Sequence, residues 1–592
     1  MASAIQELLA LAKAQKLALA KKNLPVAGIA IPVPATVPVA NTIAIPATVP
    51  ATVPATVPIP EANPDIHTGI DRYGKLIEWN AEQWQFIQTV LSGKSCILIG
   101  AAGTGKTTTM QGAISQLLLT KYFPPMQDHE HKHLPTGTPG IIGVSFTKTA
   151  VKNLRRAMPN ELKDNCINIH QLLEYQPVFY EVIDADGTPR KTMKFEPSRN
   201  QFNKLSSAIK IIIIDESSMV AVDLVYKIYC ALPDPSKVAF IYLGDIQQLP
   251  PIFGSAILGF KMLSLTTVEL TQVYRQALES PIIRLLHRIL SGVPIPASEY
   301  PAWEYPEKLK IHAWKKSISA DNALRTIALF FKNAYDAGKY TPEDDMILIP
   351  FNKACGTNEL NRHIANHIAR KRGYVTYEIV AGYERLYFSV GEKVWYSKED
   401  AEIVNIRINQ GYSGAWPQPE HKYLDYWGTV QLPEGEVTEH HILNESEKDI
   451  DELLAGINLD DEERVREASH IVTIKILATG QELEVKTAAG LNEMILSYAL
   501  TVHKSQGSEW KKVFLILHSS HNTMLQRELL YTGCSRAREE LYVICEPDSF
   551  TKGVIGQRIK GHDLKAKAEF FKGKLERGED ELVAKLLEAD ER

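Results

Sequence analysis

The chain has 592 residues, 45% of them hydrophobic and 23% charged, the balance of an ordinary globular protein with roughly three to five domains. Its 65 basic and 70 acidic side chains leave a net charge of −5, so no global positive field advertises a nucleic-acid partner, and any such site must be a local groove. Six cysteines, at 96, 166, 230, 355, 534 and 545, form no C-x-x-C pair, which argues against zinc and a disulfide framework and fits a reducing, cytoplasmic setting. No apolar run is long enough to span a bilayer, so no membrane partner is expected.

In chain order, residues 1–22 place Ile5, Leu8, Leu9, Leu11, Leu17 and Leu19 among Lys13, Lys16, Lys21 and Lys22, a short amphipathic helix rather than an export signal. Residues 31–60 are low in complexity, with Ala-Thr-Val-Pro three times in succession from Ala47 to Pro58. Proline at every fourth position forbids helix and removes sheet donors, so an extended polyproline-II-like spacer is expected. It is either a tether for a protein partner or a dispensable tail. From residue 63 apolar strands alternate with helical stretches: Ser95–Ile99, Ile141–Phe146, Ile211–Ile214 and Val238–Leu243. That is the pattern of a parallel sheet covered on both faces. Residues 174–206 interrupt it with a hairpin, Val178–Ile183 and Lys191–Phe195 about the turn Asp184-Ala185-Asp186-Gly187. A second α/β pattern starts near Asp344, yields to a strand-rich region over 376–490 with an acidic helix-prone piece from Asn444 to Ser469, and resumes at Glu493. The charged tail from Lys560 to Arg592 reads as helical.

Gly100-Ala101-Ala102-Gly103-Thr104-Gly105-Lys106-Thr107 matches G-x-x-x-x-G-K-[ST] between a strand and a helix predicted over Thr108–Leu119. Glycines let backbone N–H groups turn toward an anion, and the following helix adds the positive end of its dipole. Gly100 to Thr107, with Thr108, are the candidate nucleotide-binding residues; Lys106 reaches the β- and γ-phosphates of ATP, and Thr107 is placed to hold Mg²⁺. Four isoleucines then end in Asp215-Glu216 at the carboxyl end of a strand, where open α/β sheets bind ligands. Asp215 is the second candidate for Mg²⁺, and Glu216 the candidate base for the attacking water.

Four further blocks follow: Gly244-Asp245-Ile246-Gln247-Gln248-Leu249-Pro250-Pro251, Leu270-Thr271-Gln272-Val273-Tyr274-Arg275-Gln276, Thr501-Val502-His503-Lys504-Ser505-Gln506-Gly507, and Leu530-Tyr531-Thr532-Gly533-Cys534-Ser535-Arg536-Ala537-Arg538. With these blocks in this order over roughly residues 75–550, the chain resembles the superfamily 1 helicases, and Asp-Glu-Ser-Ser-Met at 215–219 with Tyr-Arg-Gln at 274–276 resembles the RecD/Dda-like (1B) branch most. The resemblance implies an α/β fold of two tandem RecA-like parallel-sheet P-loop domains with an inserted β-hairpin pin and an inserted SH3-like β subdomain, behind a disordered Pro-rich N-terminal extension. The implied boundaries are 1–62 for the extension, 63–275 for the first RecA-like domain with its pin at 174–206, 276–375 and 491–555 for the second, 376–490 for the SH3-like insertion and 556–592 for the tail. Gly391-Glu392-Lys393-Val394-Trp395 resembles the first SH3-like strand.

By the same resemblance, Gln83 reads adenine, Gln248 senses the γ-phosphate, and Arg275 and Arg536 are arginine fingers from opposite sides of the cleft. Phe146, Thr147, Lys148, His170, Phe351, Thr501, His503 and Lys504 are candidate contacts to single-stranded DNA, where hydroxyls and cations meet phosphates and aromatic faces meet bases. Asn168 stands where the family commonly has threonine before Ile-His. In the hairpin, Phe179, Tyr180 and Ile183 either stack on the last base pair of a duplex junction or pack the hairpin onto its domain. The implied activity is ATP-dependent unwinding of DNA, moving 5′→3′ on one strand; an RNA helicase or protein-displacing translocase on the same motor, and an adaptor acting through the N-terminal extension, are the alternatives. Protein partners would meet the N-terminal helix and linker or the acidic insertion. The absence of an organelle signal suits a bacterial or phage protein.

Overall fold

The computed structural model describes residues 67–70, 76–183, 189–251, 254–272, 279–314, 318–382, 384–396, 399–412, 467–477, 480–561, 563–578 and 581–591. The expected N-terminal helix, the Ala-Thr-Val-Pro linker, Arg275, the turn at 184–187 and residues 444–466 of the acidic piece lie outside them.

A two-stranded ribbon, β1 (His67–Ile70) with β2 (Leu76–Trp79), leads into α1 (Ala81–Leu91). There follow β3 (Cys96–Gly100), α2 (Lys106–Thr120), β4 (Ile141–Ser145), α3 (Lys148–Ala157), β5 (Cys166–Asn168) and the single-turn α4 (Ile169–Leu172). After a hairpin, β6 (Tyr175–Ile183) with β7 (Pro189–Pro197), come β8 (Ile211–Asp215), α5 (Val222–Ala231), β9 (Ala239–Gly244), α6 (Ile257–Lys261) and β10 (Thr266–Leu270). Six of these strands form one sheet in the order β10-β3-β9-β8-β4-β5, every neighbouring pair parallel. The isoleucine run explains itself here. Ile212 and Ile214 enter the core on one face of the sheet, Ile211 and Ile213 the core on the other. A strand buried on both faces needs apolar residues at every position.

The second sheet is built from α7 (Pro281–Leu290), β11 (Leu309–Ala313), α8 (Ala320–Asp336), β12 (Asp345–Ile349) and α9 (Thr357–Arg372), and then from strands after an insertion. The insertion comprises β13 (Thr376–Ala381), β14 (Glu384–Ser389), β15 (Lys393–Tyr396), β16 (Glu399–Ile408), β17 (His470–Ile476), β18 (Glu482–Val485), α10 (Ala488–Glu493) and β19 (Ile495–Leu496). The chain resumes with β20 (Ala499–Thr501), β21 (Trp510–Leu517), α11 (Arg527–Cys534), β22 (Ala537–Cys545) and α12 (Pro547–Ile555). The parallel sheet runs β11-β22-β21-β12-β20, with Met346 and Leu348 in one core and Ile347 and Ile349 in the other. The insertion forms an antiparallel β13-β14 pair and a five-stranded antiparallel sheet, β18-β17-β16-β15-β19, around a core of its own.

Residues 556–592, expected as a charged helical tail, carry α13 (Leu564–Glu576) and α14 (Glu581–Glu591). These helices return to the first sheet: Ile559, Phe571, Val583 and Leu586 join the same core as Ile212 and Ile214. Gly259 of α6 makes room, since a Cβ there would lie 2.1 Å from the Phe571 ring. The Lys261 ammonium, fully buried beside it, donates to both Asp590 carboxylate oxygens at 2.6 and 2.7 Å and to the Leu586 carbonyl at 3.0 Å.

Candidate functional site

The phosphate loop joins the carboxyl end of β3 to the first turn of α2, the ligand-binding edge of an open parallel sheet. Gly103 and Gly105 hold φ of 82° and 86°, a left-handed backbone that side-chain-bearing residues rarely adopt, and this curls the loop. Lys106 Nζ donates to the Gly100 and Ala101 carbonyls at 2.6 and 3.2 Å, and Thr104 Oγ1 donates to Ala101 O at 2.9 Å. Thr107 and Thr108 stand exposed on the first turn. Gln83 is buried in a capping box: its N–H donates to Asn80 Oδ1 at 2.8 Å and its Oε1 accepts from Asn80 N at 3.2 Å. That box fixes the residue in place at the head of α1.

Asp215 closes β8 and its Oδ1 accepts from the Glu216 N–H at 3.0 Å. Burial and the charge of Glu216 raise the Asp215 carboxyl to about 7, against the pull of Lys106. Glu216 has φ of 51°, unusual for a residue with a side chain; such strain collects at functional positions because the surroundings must enforce it. A hydroxyl, Thr107, and a carboxylate, Asp215, are hard oxygen donors. Among the described residues no group of three or more His, Cys, Asp or Glu could hold a metal. Mg²⁺ takes one or two carboxylates and completes its shell with water and substrate phosphates, so this donor set fits it.

The second sheet meets this edge through α11 and its neighbours. Tyr531, fully buried, accepts from the Ala102 N–H of the phosphate loop at 2.9 Å and donates to Asp245 Oδ2 at 2.6 Å. Thr532 Oγ1 accepts from Leu249 N at 2.9 Å, and Gln506 Nε2 donates to Leu249 O at 2.8 Å. Arg536, 4% exposed, donates through Nη2 to Gln248 Oε1 at 3.2 Å and to Ser535 Oγ at 2.9 Å, with Nε on Thr532 O at 3.0 Å. Arg536 and Gln248, distant in sequence, therefore stand together on the edge that carries the phosphate loop and Asp215.

The candidate strand contacts occupy the carboxyl ends of both sheets. Phe146 follows β4, and its ring lies 5.7 Å from that of His170, which lies 4.9 Å edge-on from Tyr175 at the root of the hairpin. Asn168 accepts from Gln171 N at 2.7 Å, so the residue in threonine's place caps α4 and sets His170. Thr147 is buried, caps α3 by accepting from Ala150 N, and lies where a Cβ on Gly507 would come within 2.4 Å of its hydroxyl. Lys148 Nζ is 3.9 Å from Glu399 of the insertion. Phe351 and Thr501 follow or end the neighbouring strands β12 and β20; Thr501 is buried and accepts from Lys504 N at 3.2 Å, while Lys504 is exposed. Burial, aided by the charge of Arg558, draws His503 down to about 4, so its ring is neutral at pH 7 and offers hydrogen bonding without charge. Phe179, Tyr180 and Ile183 lie on β6, paired with Met193, Thr192 and Pro189 of β7. Tyr531, Asp245, Thr532 and Gln506 were not singled out from the sequence, although all four lie inside its motif blocks.

Two family models match the chain: an AAA domain over residues 83–254 and a UvrD-like helicase C-terminal domain over 496–544. The first holds Lys106, Asp215 and Gln248, the second Thr501, Tyr531 and Arg536. The ATP-dependent RecD2 DNA helicase of Deinococcus radiodurans is 27% identical over 462 residues, 78% of this chain and 48% of the relative. The chain is thus similar to RecD-like superfamily 1 helicases. The RecBCD enzyme subunit RecD of Buchnera aphidicola (Schizaphis graminum strain) is 23% identical over 501 residues, 77% of this chain and 71% of the relative. A solved Bacteroides Pif1 bound to single-stranded DNA is 16% identical, with a TM-score of 0.41 over 84% of this chain and 97% of that one. The chain spans about half the length of the RecD2 relative.

Proposed function

We propose that the chain is an ATP-dependent DNA helicase that moves 5′→3′ along single-stranded DNA and unwinds the duplex ahead of it. The observation that carries this reading is the Arg536–Gln248 contact across the two sheets, above a phosphate loop and a strand-end carboxylate pair. In this reading the two sheets are the cores of RecA-like domains, the β6–β7 hairpin is the pin at the junction, and the antiparallel insertion is the SH3-like subdomain.

The chemistry follows from placement. ATP would be held by the N–H groups of Gly103 to Thr107, by Lys106, and at its base by Gln83. Mg²⁺ would be held by Thr107 and Asp215 and would neutralise phosphate charge. Glu216 takes the proton of the attacking water, while Lys106 and Arg536, with Arg275, present fixed positive charge to the departing γ-phosphate. Gln248 registers that phosphate and passes its presence to Arg536. Opening and closing of the cleft then shifts Phe146 and His170 relative to Phe351 and Thr501, so that the strand advances.

Duplexes with a single-stranded tail of each polarity test direction: unwinding of the 5′-tailed substrate is expected, and unwinding of only the 3′-tailed one would contradict the assignment. Matched RNA and DNA strands as ATPase activators separate a DNA motor from an RNA motor, which would have to recognise the 2′-hydroxyl.

A further inference from the structure

The C-terminal helices bring one charged side chain to the nucleotide edge. Lys567 is 2% exposed, and its Nζ donates to Gln247 Oε1 at 2.6 Å. A lysine on a charged tail ordinarily keeps its ammonium in water, and burying one costs free energy unless partners compensate. Burial draws its pKa down to about 8, a fall that the carboxylates of Asp245, Glu528 and Glu269 resist. The placement is fixed from three sides. Phe571, one helical turn on and on the same face, fills the slot over Gly259. Asp590 of α14 is held by Lys261. The segment entering α13 is tied to α11 itself, because Glu528 accepts from Arg558 N at 3.1 Å and Ile559 N at 2.9 Å.

Gln247 in turn donates its N–H to Asp245 Oδ1 at 3.0 Å, and the other oxygen of Asp245 accepts from Tyr531, which meets the phosphate loop at Ala102. A continuous chain of hydrogen bonds thus runs from Lys567 through Gln247, Asp245 and Tyr531 to the phosphate loop. Gln248, the next residue, faces Arg536.

We propose that Lys567 is a positioning residue for the Gln247–Gln248 segment, so that the C-terminal helices set the turnover of nucleotide at the first sheet. The inference rests on the helicase reading above and deepens it. It acts through Gln247 and touches no phosphate.

The test is steady-state ATP hydrolysis by the full chain with single-stranded DNA, alongside thermal melting. Lys567→Met should lower kcat about tenfold to a hundredfold, the loss typical of small displacements near reacting groups. KM for ATP should stay within about twofold, and the chain should stay folded at the assay temperature, the melting temperature reporting the cost of leaving Gln247 Oε1 without its donor. Lys567→Arg, which keeps charge and donor, should return most of the rate. Gln247→Met should show the same loss, and the double variant no more than either single one. An unchanged kcat in Lys567→Met, or losses that multiply in the double variant, would overturn the proposal while leaving wild-type hydrolysis, and with it the helicase reading, intact. Absence of DNA-stimulated hydrolysis in the wild type would sink both.

Discussion

Arg536 divides its guanidinium between its own helix, through Thr532 and Ser535, and Gln248 of the other sheet. That arrangement holds a fixed charge ready without a long side chain searching for it. Arg536→Ala should therefore keep DNA binding in a fluorescence titration and lose hydrolysis by about 10³ or more, the worth of an arginine finger. Glu216→Gln should bind ATP and fail to turn it over, and brisk hydrolysis by that variant would remove Glu216 from the role of base. Glu392, 4% exposed and accepting from Ser389 N at 2.8 Å, is raised by burial to about 7. Between its ordinary range and 7 the folded state binds more protons than the unfolded one, so this group's contribution to stability falls as pH rises through that window and then levels. Glu392→Gln keeps the acceptor and should raise stability above pH 7, by on the order of 1–3 kcal/mol, with little effect at pH 5; urea melts at the two pH values check it. The placement of Lys106 on a strand-to-helix loop and of Asp215 and Glu216 at a strand end was legible in sequence because both features are local. Tyr531 was not, because its partner Ala102 lies 429 residues away and nothing near Tyr531 marks the pairing.

At the level of elements, the continuous apolar runs announced strands buried on both faces, and the strands formed close to where the runs lay. The hairpin is longer than its sequence signal, β6 and β7 reaching Tyr175 and Pro197 rather than Val178 and Phe195. The extra pairs lie beside a buried ion network, where Arg199 Nε donates to Glu174 at 2.8 Å and Nη1 to Asp128 at 3.0 Å. No local pattern reports a network between segments so far apart. The C-terminal helices show the same limit: charge and helical periodicity were visible in the sequence, their docking was not. Lys261→Met should leave Asp590 buried without its cation and cost about 3–5 kcal/mol, whereas Lys261→Met with Asp590→Leu should recover most of that loss. Denaturant unfolding of the two variants decides it, and equal or additive losses would mean the ion pair does not anchor the helices.

On the scale of the whole molecule, the carboxyl end of the first sheet meets the end of α11 and the segment before β21, and the contacts between them fall on the motif blocks. The alternation of strands and helices made the α/β class with parallel sheets legible; the hydrogen bonds that join the motif blocks could not be read, because each needs two distant segments folded first. The central claim is that these contacts couple nucleotide turnover to a nucleic-acid strand. The most direct measurement is ATP hydrolysis with and without single-stranded DNA, using Lys106→Ala as the control. Strong stimulation by DNA that disappears in Lys106→Ala is the expected result. Hydrolysis indifferent to DNA, or persisting in that variant, would contradict it.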